Sequence, residues 1–122
     1  MKTPIAAALL AGLLALPCPA LAADMVPGMD NVPLAPGLTA PPDAALVYDA
    51  PGGRQVEAEA TGAVAVEQVR AFYAATLPQL GWTMVTPARY RREMMQLDIT
   101  IQPDPMRRQT AVLFMLMPQA AP

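Results

Sequence analysis

The stretch VRAFYAATLPQLGWTM, Val69 to Met84, decides the fold. Val66, Val69, Tyr73 and Leu80 recur at spacings of three, four and seven, with Phe72, Thr76 and Leu77 beside them. That is a single apolar face with a period near 3.6, so the stretch predicts an amphipathic helix starting at Val64 or Val66. Glu67, Gln68 and Arg70 fall on the opposite, wet face. The helix then meets three residues that end it. Pro78 lacks an N–H and crowds the preceding turn. Gly81 is free to take the left-handed conformation that closes a helix. Trp82 starts an extended segment, and its indole is expected to fold back over the helix end as core. Pro78, Gly81 and Trp82 are therefore read as a structural junction.

Upstream of the helix, Ala45 to Ala50 (ALVYDA) is short and β-prone, and Pro51-Gly52-Gly53 follows. Arg54 to Ala60 alternates, with Val56, Ala58 and Ala60 on one side and Gln55, Glu57 and Glu59 on the other. Two such runs around a proline-glycine turn predict a β-hairpin. Downstream, Trp82 to Thr86 reads as a strand interrupted at Pro87 and resumed from Arg89 to Glu93 after a bulge. Met95, Leu97, Ile99 and Ile101 alternate with Gln96, Asp98, Thr100 and Gln102, the pattern of a strand with one dry face. Thr110 to Met117 (TAVLFMLM) is apolar on both sides. It is expected to be a central strand, or one whose second face is covered by the proline-rich segment described next. The order is hairpin, helix, three-stranded meander. It predicts a two-layer α+β fold, β-β-α-β-β-β, with one antiparallel sheet of four to five strands and a single packed helix.

Four segments divide the 122 residues. Lys2, the apolar run Ile5 to Leu16 and the small residues of Ala20-Leu21-Ala22 predict a signal peptide over 1–22. That run is shorter than the ~20 residues a membrane-spanning helix needs. Export to the periplasm with cleavage near Ala22 is the expected outcome, with no stable membrane span afterwards. Residues 23–43 carry Pro27, Pro33, Pro36, Pro41 and Pro42 and read as an extended arm, parts of which lie against the domain. Residues 44–118 form the domain, and 119–122 a flexible tail. Pro17 precedes Cys18, the one cysteine, where a lipid-modified cysteine needs a small neighbour. Cys18 is thus expected to leave with the leader.

MDNVPLAPGL, VYDAPGGRQVEAEATG, VRAFYAATLPQLGW and YRRE together resemble a family of small exported proteins of alphaproteobacteria. That family pairs a Pro-Leu-x-Pro-Gly-Leu arm with a Phe-Tyr-x-x-x-Leu-Pro-x-Leu-Gly-Trp junction. The resemblance covers nearly all of the chain after the leader and implies a periplasmic location, but no activity. The helix ending in Leu-Gly-Trp is also similar to small envelope lipoprotein domains, whose lipidation cysteine is missing here.

Composition excludes much chemistry. There is no histidine and no serine, and beyond the leader neither lysine nor cysteine. Ser–His and Cys–His nucleophiles, a Schiff-base lysine and zinc held by His or Cys are all excluded. Glu57 and Glu59 share a strand face roughly 7 Å apart, a spacing compatible with glycoside chemistry. That chemistry needs a cleft, which one sheet and one helix scarcely provide. The expectation is a protein that is not an enzyme and holds no cofactor. Without Lys2 the seven arginines against ten acids leave a charge of −3, which with no basic stripe argues against nucleic acid.

Three binding readings remain. The leading one is a module that contacts another envelope protein through the arm or the helix side of the sheet. Methionine is enriched, and thioethers bind Cu(I). Met25 and Met29 on the arm are the first metal candidates, with Met94, Met95, Met115 and Met117 on neighbouring strands. Finally, Arg89, Arg91, Arg107 and Arg108 would grip an anion, a lipid headgroup or a partner's carboxylate if the strands bring them together.

Overall fold

A computed structural model describes residues 24–119. The leader, Cys18 and the last three residues of the tail lie outside them. Two strands, β1 (Leu46–Ala50) and β2 (Gly53–Gly62), precede the helix α1 (Val66–Thr76). A 3-10 turn, Leu77–Leu80, follows it. Four strands complete the chain: β3 (Thr83–Thr86), β4 (Arg89–Arg92), β5 (Met95–Asp104) and β6 (Gln109–Pro118). All pair antiparallel in one sheet of order β1-β2-β6-β5-β4-β3. Among the described residues the fold is α+β with one helix and six strands, not the four to five strands expected.

The extra strand comes from Pro87. Instead of interrupting one strand, Pro87 and Ala88 reverse the chain, so that Thr86 pairs with Arg89. Proline suits the second position of such a turn, and the Thr86 hydroxyl accepts the Ala88 N–H at 3.2 Å. The irregularity falls between Met84 and Thr86.

The helix begins after Ala65, whose backbone is extended and whose N–H donates to Gln68 Oε1 at 3.2 Å. Alanine offers no oxygen in return, so only half of a capping box forms. Val69, Tyr73 and Leu77 make the buried ridge, each four residues from the last. Leu80, expected on that face, is exposed. The reason is Pro78, which forces the tighter 3-10 turn and rotates the next residues out of register. Gly81 closes the turn at φ 95°, and Trp82 N–H reaches back to Leu77 O at 3.1 Å. The Trp82 indole is buried, as expected. Arg92 Nε donates to Leu80 O at 3.0 Å and ties β4 to the helix end.

The arm is the main departure from expectation. Val26, Met29, Val32, Ala35 and Leu38 supply five of the seventeen buried apolar residues among those described. Six strands span roughly 24 Å, and one helix covers roughly 10 Å of that width. The helix lies over β5. The arm approaches β2, where Gly28 sits against Val56 and Gly62 against the Gly37 carbonyl. Val26 N–H to Val32 O (2.8 Å) and Leu34 N–H to Asp24 O (2.7 Å) curl its first half into a closed loop. Thr39 and Thr61 then exchange two backbone bonds of 2.8 and 3.0 Å, attaching the arm to β2.

Two aromatic side chains join the arm to the helix layer. Tyr73 hydroxyl donates to Pro33 O at 2.7 Å and accepts from Ala35 N–H at 3.1 Å, while its ring stands edge-on to Phe114. Trp82 Nε1 donates to Asn31 O at 3.0 Å. Burial pushes the Tyr73 phenol far above its ordinary range, and the Ala35 N–H offsets only part of the rise. The folded state therefore favours the protonated phenol. Its contribution is intact below a pH of about 10 and is lost as pH rises past the unfolded-state value. Tyr73→Phe should cost about 1–3 kcal/mol near neutrality, because two buried backbone groups lose their partner. It should also flatten the alkaline decline in urea midpoint. Tyr90, shifted upward by burial as well, keeps some of that decline. Equal alkaline slopes in parent and variant would refute this assignment.

Candidate interaction face

Alternation divides each strand between two faces. Val56, Leu116, Leu97 and Tyr90 form one cross-strand row under the helix and arm, with Ala58, Phe114 and Ile99 in the next. Nothing among the described residues lies over the other face, whose side chains are exposed or half-buried. Its centre is β6, with Ala111, Leu113, Met115 and Met117 along one line. Leu46 and Tyr48 extend the apolar surface on β1 and are both exposed. One complete row reads Leu46, Glu57, Met115, Asp98, Arg89, Thr86.

Charge frames this stripe. Glu57 and Glu59 border it on β2, and neither has an ion-pair partner among the described residues. On the other side Arg89 holds Asp98 through two bonds, Nε to Oδ1 at 2.9 Å and Nη2 to Oδ2 at 3.2 Å. That carboxylate raises the Arg89 pKa, first through the hydrogen bond and then through its charge. Gln96 Nε2 contacts Asp98 Oδ1 at 3.4 Å and Met117 Sδ at 3.9 Å, fixing a polar-to-apolar seam. The face is acidic on one flank, apolar along the middle and arginine-bearing on the other.

The arginines do not form one cluster. Arg89 and Arg91 stand on β4. Arg107 and Arg108 lie in the β5–β6 turn, six residues along β5 from Asp98, the partner of Arg89, or roughly 20 Å away. Arg108 holds φ 53° in that turn.

The methionines also part company. Met29 is 2% exposed in the core and Met25 44% exposed at the surface. A shared site would require drawing Met29 out of its packing. Met95 pairs with Pro118 and takes the face opposite Met115 and Met117. Only those last two thioethers share an open surface, with Met94 exposed in the β4–β5 turn. No group of three or more carboxylates with metal-binding spacing occurs among the described residues.

Glu57 and Glu59 share a face, as expected, but that face is open and has no cleft. A hollow of about 590 Å³ lies among arm residues such as Met25, Leu34 and Leu38. Asp24 is its single ionisable group. Pro78, Gly81 and Trp82 form the helix–strand junction and take no part in the open face. Leu113, Leu46 and Tyr48 were not site candidates by sequence, and Met115 and Met117 were candidates only as metal ligands. Their signal was the two-sided apolarity of Thr110 to Met117, which left open whether the arm covered the second face. β6 is central, and the arm packs on the helix side instead.

The fold and face define a single-helix α+β domain with one uncovered sheet surface. No protein-family model, curated protein or solved structure matches the chain. Among the described residues no helix is long and apolar enough to cross a membrane.

Proposed function

We propose that this protein is a non-enzymatic binding module of the bacterial cell envelope, exported to the periplasm. Its uncovered sheet face is the surface that meets another envelope protein. The observation that carries this reading is the line Leu113, Met115 and Met117 on the central strand, left half-exposed between Glu57 and Glu59 on one flank and Arg89 and Arg91 on the other. An apolar centre within a charged rim is the usual anatomy of a protein-binding patch, and methionine adapts to a partner's contours. Export rests on Lys2, the apolar run to Leu16 and Ala20-Leu21-Ala22. The absence of a nucleophile–base pair in the composition, and the openness of the face, support a binding role. Since the arm turns most of its larger apolar side chains into the core and, with the helix, covers one side of the sheet, the contact surface moves to the opposite side.

In-cell photocrosslinking tests the reading. A photoreactive residue at Leu113 should give a discrete adduct with an envelope protein, and one at Glu67 on the outer helix face should not. Met115→Glu should reduce the Leu113 adduct at least about tenfold by adding a charge at the apolar centre. Equal adducts from both positions, or none from Leu113, would remove the proposal.

A further inference from the structure

The two edges of the sheet differ in a way that bears on self-association. An edge strand offers unpaired N–H and C=O groups to any extended chain, and proteins block it with short length, bulges, proline or charge. β3 has all but the last: four residues, a register shift within it and Pro87 directly after it. β1, five residues long and also followed by a proline, Pro51, differs in having an unbroken register and no charge until Asp49. Leu46, Val47 and Tyr48 are 59%, 52% and 43% exposed, so both faces of this edge present apolar side chains. The arm does not cover it. Thr39 pairs with β2 at Thr61, beyond the place where β1 stops at Leu46 opposite Glu57. The arm then leads into β1 from its end.

The hairpin fixes which groups face outward. Pro51 and Gly52 form a two-residue loop, closed by Ala50 and Gly53. The closing pair of such a loop is the hydrogen-bonded one, and bonding alternates along the ladder. Tyr48 and Leu46 therefore bond to β2. Val47 and Asp49 direct their N–H and C=O to the open side.

We infer that β1 pairs antiparallel with β1 of a second copy about a two-fold axis at Val47, joining two sheets into one of twelve strands. Centring on any residue of β1 keeps the outward groups paired, but centring on Leu46 sets Tyr48 opposite Ala44, outside the strand. Centring on Asp49 opposes two like charges, and centring on Tyr48 sets Asp49 against Val47 of the other copy; both are unfavourable. Centring on Val47 sets Val47 opposite its twin and Leu46 opposite Tyr48 twice, all on matching faces. Asp49 then faces Ala45. Leu46 and Tyr48 become the non-hydrogen-bonded pairs, whose side chains approach most closely. The two Glu57 side chains lie three strand spacings apart and two residues offset, roughly 16 Å in all, beyond the screening length of about 8 Å. A closed two-fold contact uses up both β1 edges and leaves the guarded β3 edges outside. The contact is smaller than a standard interface, so the dimer dissociates on dilution. It also places the two open faces side by side as one surface.

Sedimentation equilibrium of the full chain, from about 1 μM to about 1 mM, tests this. A monomer–dimer equilibrium is expected, weakened at least about tenfold by Val47→Lys, which opposes two charges at the axis. Val47 is half-exposed, and an unchanged urea midpoint would confirm that the variant is folded. A second variant reads the register: Leu46→Cys with Tyr48→Cys, in a chain with Cys18→Ala, should oxidise to a covalent dimer, since non-hydrogen-bonded pairs meet disulfide geometry. A parent that is monomeric throughout, a dimer indifferent to Val47→Lys, failure to cross-link, or species that grow without limit would each overturn the inference.

Discussion

Deleting residues 24–40 is expected to abolish cooperative folding. The segment looks dispensable, with its prolines and little regular structure, yet it carries Val26, Met29, Val32, Ala35 and Leu38, all buried. Its four larger side chains, at roughly 2 kcal/mol each, contribute roughly 8 kcal/mol, which is comparable to the entire net stability of a small domain. The deletion does further damage. Tyr73 hydroxyl and Trp82 Nε1 lose their carbonyl acceptors on Pro33 and Asn31, and both groups stay in an apolar layer. β2 loses the cover over Val56 and the partner of Thr61. The shortened chain should show no sigmoidal urea transition, and its Trp82 emission should sit near that of the unfolded protein. A cooperative melt with native-like emission would show that helix and sheet suffice without the arm.

The second large effect is expected from one methyl group. A Cβ at Gly62 would overlap the Gly37 carbonyl oxygen and lie 3.0 Å from Leu38 Cα. Both obstacles are backbone, and the adjoining Thr39–Thr61 bonds hold them in place. The glycine is needed for close approach, not for its torsion angles. Gly62→Ala should destabilise by about 3 kcal/mol, at the upper end of overpacking costs, because the arm must lift from β2. Gly52 is the control. Nothing lies within 4 Å of a Cβ there, so Gly52→Ala should leave the urea midpoint unchanged or slightly raised. If both substitutions shift the midpoint by the same amount, the arm's seat on β2 is looser than described.

The elements that could be read from the sequence were those with a local cause. The alternation from Met95 to Ile101 set β5, the four-residue recurrence set α1, and Pro78-Gly81-Trp82 set the end of the helix. What escaped depended on neighbours distant in the chain. Pro87 has the same identity in a bulge and in a reversal, and pairing with β5 beyond β4 decides between them. Leu77 and Leu80 are equally apolar, and only the tightened turn at Pro78 buries the first and exposes the second. The slender side chains of β2, Ala58 and Ala60, looked like a weak strand. They stand opposite Phe114 and Val112 on the side where the arm packs. The candidate site followed the same rule. Glu57 and Glu59 were placed on one face correctly by alternation, whereas the arginines were grouped by kind although the β5–β6 hairpin separates them.

β6 occupies the middle of the sheet, yet of the described elements it is the last to be synthesised. Until about residue 118 has left the ribosome, β2 and β5 have no common neighbour, and Val56 must wait for a residue sixty positions later. The nascent polypeptide therefore emerges slack, with nothing to lock it shut. On the export route proposed above, slackness of that kind suits threading through a narrow protein-conducting pore, where a domain that ripened early would jam.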